Sequence, residues 1–216
     1  MHLYSKLSAV AAVLVLSTTF ASADTVQLGS YGTSSPNLGN QNSALVFAGA
    51  PTTTFDIGTG GIWTAPVANS SWVSVNPGDC PGCGHVTPIG TQTYTTTFVL
   101  GSNFATYGGS ILVMADDTTD VLLNGILVQS FAGGGNSTCQ NQQPNCITPL
   151  LVNLPSVDFV SGTNTLTFDV PETVLNTANG VDFGGSITST PEPSSLILLG
   201  TGLMGSAGAL FRRMRA

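Results

Sequence analysis

The chain has 216 residues, enough for one domain with a hydrophobic core, and it carries only four Lys and Arg against eleven Asp and Glu. All four basic residues lie near the ends, at Lys6, Arg212, Arg213 and Arg215, whereas ten acidic residues lie between positions 24 and 190. A segment without Lys or Arg cannot neutralise phosphates, so nucleic acid is excluded as a partner and strongly anionic ligands are disfavoured.

The first 23 residues have the pattern of a secretory signal peptide. Lys6 supplies a positive charge, an apolar run extends from Leu7 to Leu16, and Ala21-Ser22-Ala23 forms a small-x-small cleavage site before Asp24. The run is shorter than the roughly 20 residues that a membrane-spanning helix needs. We therefore predict a signal peptide helix over residues 1–23, export through the Sec translocon, and a mature chain that begins at Asp24.

Residues 24–189 are predicted to form an all-β ectodomain, because short segments rich in Val, Ile, Thr and aromatic residues alternate with Gly, Pro and Asn turns. Asn124-Gly125 predicts a tight hairpin turn, since both residues tolerate positive φ. No segment before residue 190 has a helical period, so the pattern predicts a two-sheet β-sandwich. The predicted strands are 44–48, 53–57, 72–75, 93–100, 110–115, 121–123, 126–131, 154–159, 165–170 and 180–188.

Four cysteines lie in the ectodomain, at Cys80, Cys83, Cys139 and Cys146. An even number of cysteines in an exported region predicts structural disulfides, and four cysteines allow three pairings. The local pairs Cys80–Cys83 and Cys139–Cys146 are the simplest. If the strands over 93–131 form an antiparallel meander, both cysteine-bearing segments lie at the same end of the sheet, so pairing between them stays open. The Cys-x-x-Cys spacing also occurs in redox and zinc sites, but no strand-to-helix pattern follows it here.

No catalytic residues are predicted. His85 is the only histidine that remains after signal removal, and no Gly-x-Ser-x-Gly motif accompanies it. A glycosidase needs two carboxylates across a cleft, and the chain has only two glutamates, Glu172 and Glu192. We therefore expect a protein without enzymatic activity.

Three carboxylates crowd one turn, at Asp116, Asp117 and Asp120. Hard oxygen ligands suit Ca²⁺, and three carboxylates without a nearby cation would repel one another. The alternative is ordinary turn chemistry, in which Asp side chains accept hydrogen bonds from the turn's own amides. These residues are the candidate metal ligands of the chain.

The aromatic residues include candidates for stacking on a ligand. Trp63, Trp72 and Tyr94 are predicted to belong to the core, which is the usual place for large aromatic side chains in a sandwich. Tyr107 lies in a Gly-flanked segment and is predicted to be exposed. Tyr107 is therefore the candidate stacking residue.

Residues 190–216 form a distinct tail. Pro191-Glu192-Pro193 precedes an uncharged apolar stretch over 194–211, and the Arg-rich end 212–216 carries Arg212, Arg213 and Arg215. Eighteen helical residues at about 1.5 Å rise nearly match a hydrocarbon core about 30 Å thick. The stretch therefore predicts a transmembrane helix, and the arginines after it act as a membrane stop that favours a cytoplasmic C-terminus.

The tail resembles the PEP-CTERM sorting signal of Gram-negative bacteria, on the Pro191-Glu192-Pro193 motif, the Leu/Gly-rich stretch and the Arg cluster. The resemblance implies recognition by an exosortase, a membrane protease-transpeptidase, near Pro191-Glu192-Pro193. It also implies a host that makes extracellular polysaccharide. The protein would pass through an inner-membrane-anchored intermediate and then reach the cell surface or the extracellular space.

A second resemblance concerns the ectodomain. Ala115-Asp116-Asp117, the segment Val121–Gly125 and the segment Phe159–Phe168 are similar to galactose-binding-like jelly rolls, which accompany many polysaccharide-active enzymes. The resemblance implies a jelly-roll sandwich, a structural Ca²⁺ and a function carried by loops. The expected function is a non-enzymatic surface or matrix protein associated with extracellular polysaccharide. The alternatives are a small secreted carbohydrate-active hydrolase and a purely structural surface-coat component.

Overall fold

The computed structural model describes residues 23–33, 46–47, 52–84, 87–101, 106–130, 144–190 and 193–214. Within these ranges the chain forms twelve strands, two short 3-10 turns at Pro77–Asp79 and Ser156–Asp158, and one α-helix. The strands are β1 (Thr25–Gly29), β2 (Val46–Phe47), β3 (Thr52–Thr53), β4 (Phe55–Asp56), β5 (Val73–Ser74), β6 (Gly90–Leu100), β7 (Thr106–Asp116), β8 (Asp120–Leu123), β9 (Ile126–Gln129), β10 (Leu150–Leu154), β11 (Gly162–Glu172) and β12 (Gly180–Thr190), and the helix is α1 (Pro193–Met214).

The strands form two six-stranded sheets, which confirms the predicted β-sandwich. Sheet I has the order β10-β7-β12-β5-β4, and β1 also pairs with β12. Sheet II has the order β3-β2-β6-β11-β8-β9. Because β6, β8 and β11 belong to sheet II while β7, β10 and β12 belong to sheet I, the chain crosses repeatedly from one sheet to the other.

The strands over residues 93–131 do not form the antiparallel meander that was considered for the cysteine pairing. Strand β6 pairs along its whole length with β11, from Gly162 opposite Leu100 to Glu172 opposite Gly90, and not with β7. Both β6 and β7 bury alternate side chains in the same core, so the two strands face each other across the sandwich. Only β8 and β9 form the expected hairpin with each other.

Alternating side chains of the long strands fill the main core between the sheets. On β11 the residues Asn164, Leu166, Phe168 and Val170 point inward and are fully buried. Phe168 stacks on Phe183 of β12, with 4.6 Å between the ring centroids. Burial of each of the apolar side chains contributes about 1.5–3 kcal/mol to the stability of the fold. The alternation of buried and outward side chains therefore holds the two sheets together.

A second, smaller core lies on the other side of sheet I. Met114 is buried there, although its neighbours Val113 and Ala115 point into the main core. Trp63 and Trp72 pack in this smaller core with 4.7 Å between their ring centroids. As predicted, both tryptophans are buried, and so is Tyr94. The segment that carries the tryptophans therefore covers part of the outward face of sheet I.

The turn over Asn124-Gly125 is confirmed. Both residues have positive φ, 53° and 81°. The Asn124 Nδ2 atom donates to the carbonyl of Asp158 at 2.8 Å and to Asn164 Oδ1 at 2.8 Å. These bonds fasten the hairpin to the start of β11.

Three local predictions differ from the structure. The predicted strand 154–159 is wrong, because β10 ends at Leu154 and Pro155, which has no N–H to donate, leads into a 3-10 turn. The predicted strand 53–57 is divided between the sheets, with Thr52–Thr53 in sheet II and Phe55–Asp56 in sheet I. Strand β1 was not predicted, although Val26 and Leu28 alternate with Thr25, Gln27 and Gly29 in the manner of a short strand.

The chain divides into two compact units, the sandwich (25–102 and 107–188) and a second unit that contains α1. In the second unit the Asp24 N–H donates to Ser189 Oγ at 2.7 Å, and the Ser189 N–H donates to the Asp24 carbonyl at 2.9 Å. Helix α1 occupies the place of the predicted apolar helix. Among the described residues, however, no helix is long and apolar enough to cross a membrane, so the predicted transmembrane span over 194–211 is not borne out. Glycine, serine and threonine interrupt the leucine-rich stretch. Residues 1–22 of the predicted signal peptide, which spans 1–23, lie outside the described residues.

Candidate functional site

Four carboxyl side chains are buried near one another in the protein interior. Asp116 ends β7 and precedes Asp117, Glu172 ends β11, and Asp79 ends the 3-10 turn at Pro77–Asp79. None of the four residues is more than 4% exposed. The peptide bond between Asp116 and Asp117 is cis. We call Asp79, Asp116, Asp117 and Glu172 the buried acidic cluster.

The buried acidic cluster holds a proton at neutral pH. Burial raises the pKa of Asp116 to about 9, assisted by a hydrogen bond to Asp117 and by the negative charges of Asp117, Glu172 and Asp79. The chain offers no Lys or Arg between residues 24 and 190 to offset these charges. Since like charges at close range cannot all ionise, protonation of Asp116 relieves the repulsion.

Hydrogen bonds from nearby residues satisfy some of the carboxyl oxygens in the cluster. Asp79 Oδ2 accepts from Ser74 Oγ at 2.6 Å and from Thr87 Oγ1 at 2.8 Å. Glu172 Oε1 accepts from the Val174 N–H at 3.0 Å. In the described part of the chain, Glu172 Oε2 and Thr118 Oγ1 are buried without a hydrogen-bond partner. Such atoms are costly in a protein interior unless a ligand, a water molecule or an ion completes their coordination.

Tyr94 and Asn179 adjoin the cluster. The Tyr94 hydroxyl donates to Asn179 Oδ1 at 2.6 Å, and Asn179 Nδ2 lies 3.5 Å from the Asp116 carbonyl oxygen. Burial, with a further contribution from the charges of Asp79 and Asp116, raises the pKa of Tyr94. Tyr94 therefore stays neutral and acts as a hydrogen-bond donor.

The structure brings together only two of the three predicted metal ligands. Asp116 and Asp117 belong to the cluster, whereas Asp120 is half-buried at the start of β8 and pairs in register with Asp169. The oxygen-only donor set and the bare Glu172 Oε2 suit a hard cation. Nevertheless, no three Asp, Glu, His or Cys side chains of the described residues are arranged to hold a metal ion as they stand. Asp79 and Glu172 were not predicted to lie beside Asp116, because they are far from it in the chain and belong to no motif.

A second candidate site is an open trough on the outward face of sheet I. It encloses about 320 Å³ and is lined by Gln27, Val67, Ala68, Asn69, Ser110, Leu112, Leu151, Gly184, Gly185 and Ser186. The central strands β7 and β12 contribute mostly small residues to the lining of the trough. The longer side chains of Leu151 on β10 and Gln27 on β1 lie at its two sides. The trough is therefore a depression between taller side chains of the flanking strands.

The loop 67–69 forms one wall of the trough and is held by buried Asp182. Asp182 Oδ2 accepts from the Val67 N–H at 2.8 Å, and Oδ1 accepts from Ser70 Oγ at 2.5 Å and Ser30 Oγ at 3.1 Å. Burial raises the pKa of Asp182 to about 6, although these hydrogen bonds act in the opposite direction. Gly184 allows the loop to lie on the sheet, because a Cβ atom there would come within 2.6 Å of the Ala68 carbonyl oxygen.

A repeated motif builds the floor of the trough. Tyr107-Gly108-Gly109-Ser110-Ile111 lies on β7, and Phe183-Gly184-Gly185-Ser186-Ile187 lies on the neighbouring strand β12. The second glycine of each copy makes room for the isoleucine of the other, because a Cβ at Gly185 or Gly109 would lie within 3.0 Å of Ile111 or Ile187. The motif is present in the sequence as an aromatic residue followed by Gly-Gly-Ser-Ile at two places, although no prediction was based on it.

The predicted stacking residue Tyr107 is half-buried rather than exposed. Its hydroxyl donates to the Gly101 carbonyl at 2.5 Å, and its ring packs against Phe159 with 6.3 Å between centroids. These contacts explain the difference, since the hydroxyl and the ring each have a partner within the protein. A role of Tyr107 in stacking on a ligand stays a prediction.

The structure contains the predicted Cys80–Cys83 disulfide, with 5.4 Å between the Cα atoms. Cys146 is also disulfide-bonded, and Cys139, its predicted local partner, lies outside the described residues. His85 lies outside them as well.

The processing signals are described only in part. Ala23 and Asp24 are exposed, whereas Ala21, Pro191, Glu192 and Arg215 lie outside the described residues. Pro193 begins α1, and Arg212 and Arg213 lie in its last turn.

Comparisons with known proteins give three results. No curated protein sequence matches the chain. Among solved structures, CBM35 from Paenibacillus barcinonensis is 16% identical with a TM-score of 0.31, and the match covers 69% of this chain and 100% of that one. The carbohydrate-binding module CBM36, solved with calcium and xylotriose, is 14% identical with a TM-score of 0.26, and the match covers 68% of this chain and 98% of that one. Residues 189–215 match the PEP-CTERM protein-sorting motif, so the chain carries this sorting motif directly after its β-sandwich.

Proposed function

We propose that this protein is exported through the Sec translocon, is processed by an exosortase, and acts at the cell surface or outside the cell as a non-enzymatic β-sandwich that associates with extracellular polysaccharide. The PEP-CTERM motif over 189–215 is the observation that carries the proposal. The charge distribution supports it: without Lys or Arg between residues 24 and 190, the ectodomain suits neutral polymers better than anionic ones. Insertion of the tail into the inner membrane during sorting is part of the proposal.

Processing is tested by mass spectrometry of the protein made in an exosortase-positive host. We expect release of a chain that lacks both the signal peptide and the tail that follows Pro191-Glu192-Pro193. In an exosortase deletion strain, or with Pro191, Glu192 and Pro193 all changed to Ala, we expect the tail to be retained. A matched control changes Ser194 and Ser195 to Ala, which leaves Pro191-Glu192-Pro193 intact. If the motif variant is processed as the wild type is, the proposed role of the motif is wrong.

The burial of the acidic cluster supports a protein that is not an enzyme. Asp79, Asp116, Asp117 and Glu172 are each at most 4% exposed, so a polymeric substrate has no access to them. We expect no hydrolysis when the purified protein is incubated with a panel of polysaccharides. Hydrolysis by the wild type that disappears in Asp117→Asn would overturn this part of the proposal and favour the hydrolase alternative.

We also propose that the buried acidic cluster can exchange its proton for a structural Ca²⁺. The support is the concentration of four carboxyl groups and the bare oxygens of Glu172 and Thr118, and Ca²⁺ takes six to eight oxygen ligands in flexible geometry. Since the side chains do not converge as they stand, they must rearrange around the ion.

A pH comparison tests the calcium proposal. Millimolar Ca²⁺ should raise the unfolding temperature near pH 8 and raise it less near pH 5, because protons compete for the same oxygens. Glu172→Gln should weaken the effect, whereas Asp158→Asn, which changes a carboxyl outside the cluster, should not. An unfolding temperature unaffected by Ca²⁺ at both pH values would refute the proposal.

A further inference from the structure

The trough on sheet I has the properties of a binding site for an uncharged ligand. Its described lining contains no charged side chain, although the ectodomain carries ten acidic residues. An ionic ligand would therefore find no partner in the trough and would lose its hydration there. The charge pattern selects a neutral occupant.

The lining offers polar groups and apolar surface together. Gln27 and Asn69 each carry an amide that both donates and accepts hydrogen bonds, and Ser110 and Ser186 add hydroxyl groups. Leu112 and Leu151 are 37% and 57% exposed, so they present apolar surface to solvent at one side. A sugar ring has the same combination of hydroxyl groups at its edge and C–H groups on its faces.

The trough is also a rigid feature of the fold. Its floor consists of the central strands β7 and β12, and its wall, the loop 67–69, is fixed to the sheet by Asp182, which is fully buried. Its volume of about 320 Å³ lies at the lower end of the range of about 300–1,000 Å³ that small-ligand sites occupy. A site of this size accommodates a short stretch of a chain and not a protein domain.

We propose that the trough formed by β1, β7, β10, β12 and the loop 67–69 binds a short stretch of a neutral polysaccharide chain. The inference rests on the proposed function, because it names the place at which the protein contacts its polymer. The amides and hydroxyls bind the sugar hydroxyl groups, and the leucines cover the apolar face of a ring. Without an aromatic residue among the described lining side chains, each contact is weak, and retention depends on a polymer that offers many equivalent stretches.

Affinity electrophoresis of the full-length protein in mild detergent tests the proposal, with gels that contain dextran, xylan, galactomannan or hydroxyethyl cellulose. Ser186→Trp places a large ring in the trough, and we expect it to weaken retention at least tenfold. Thr97→Trp is the matched control, because it adds the same ring to an exposed position on sheet II. Leu151→Asp is a second trough variant at an exposed position, which protects the test against a folding defect in Ser186→Trp.

The outcomes separate the trough from the wider proposal. Loss of retention in both trough variants but not in Thr97→Trp supports the trough. If the wild type is retained and both trough variants are retained equally, the trough is not the site, while the association with polysaccharide stands. If no gel retards the wild type, the association itself fails. If the trough variants change only the sedimentation coefficient, a second copy of the chain occupies the trough and the inference is wrong.

Discussion

The stability of this protein should decrease from about pH 4 to about pH 7, the reverse of ordinary acid denaturation. The reason is Asp182, whose pKa rises from 3.8 to about 6 because the folded protein buries it. A folded-state pKa above the unfolded value means that the folded protein binds the proton more tightly. The stabilisation by this proton is therefore complete below about pH 4 and is lost as the pH rises through about 6.

The expected size of the effect follows from the shift. A difference of about 2 pKa units corresponds to about 3 kcal/mol of unfolding free energy. For a domain of this size, about 3 kcal/mol lowers the unfolding temperature by about 6–12 °C. The raised pKa of Asp116, about 9, adds to the decrease over the same range and extends it above pH 7.

Thermal unfolding followed by tryptophan fluorescence across this pH range measures the effect, since Trp63 and Trp72 are buried. Asp182→Asn cannot ionise and replaces one of two acceptor oxygens by an amide donor among three groups that donate to Asp182, so it should cost about 1–3 kcal/mol at pH 4. The difference from the wild type should shrink as the pH approaches 7. Asp158→Asn is the control and should follow the wild-type curve. A wild-type stability that is equal or higher at pH 7, or a difference that does not depend on pH, would refute the reasoning.

Two further predictions concern single features of the sandwich. Gly185→Ala should lower the unfolding free energy measured in urea by about 1–3 kcal/mol, because the new Cβ would lie 2.2 Å from the Ser110 carbonyl oxygen. Gly108→Ala is the control and should not lower it, since no atom lies within 4 Å of a Cβ at that position. Equal stability of the two variants would contradict the packing argument. Replacing Cys80 and Cys83 together by Ser should lower the unfolding free energy by about 2 kcal/mol, the expected value for so short a disulfide loop. A decrease of more than twice that amount in the same urea titration would contradict the view that the disulfide acts only by restricting the unfolded chain.

The sequence predicted the strands well where one side chain in two is buried. Leu166, Phe168 and Val170 alternate with polar residues, so β11 was predictable, and Asn124-Gly125 predicted the turn between β8 and β9. The pairing of β6 with β11 was not predictable, because about 70 residues separate the partners and alternation does not specify which strand lies alongside.

The candidate sites were predicted only in part for the same reason. Asp116 and Asp117 stood out as a crowded turn, but the residues that join them, Asp79 and Glu172, come from distant segments that the crossing of strands between the sheets brings together. The trough depends on small residues of two strands that are adjacent only in sheet I. Neither site has a contiguous motif, so only the three-dimensional arrangement identifies it.

The mutual hydrogen bonds of Asp24 and Ser189 have a practical consequence for the processed protein. The two proposed cuts, after Ala23 and near Pro191, fall beside this pair, so that both ends of the mature chain meet at the ends of β1 and β12. Residues 24–190 contain no lysine, so the α-amino group of Asp24 becomes the only amine of the mature domain. A dye or a solid support coupled through amines would then attach at one known point. Trypsin, which cuts after Lys and Arg, would find no site in the same segment.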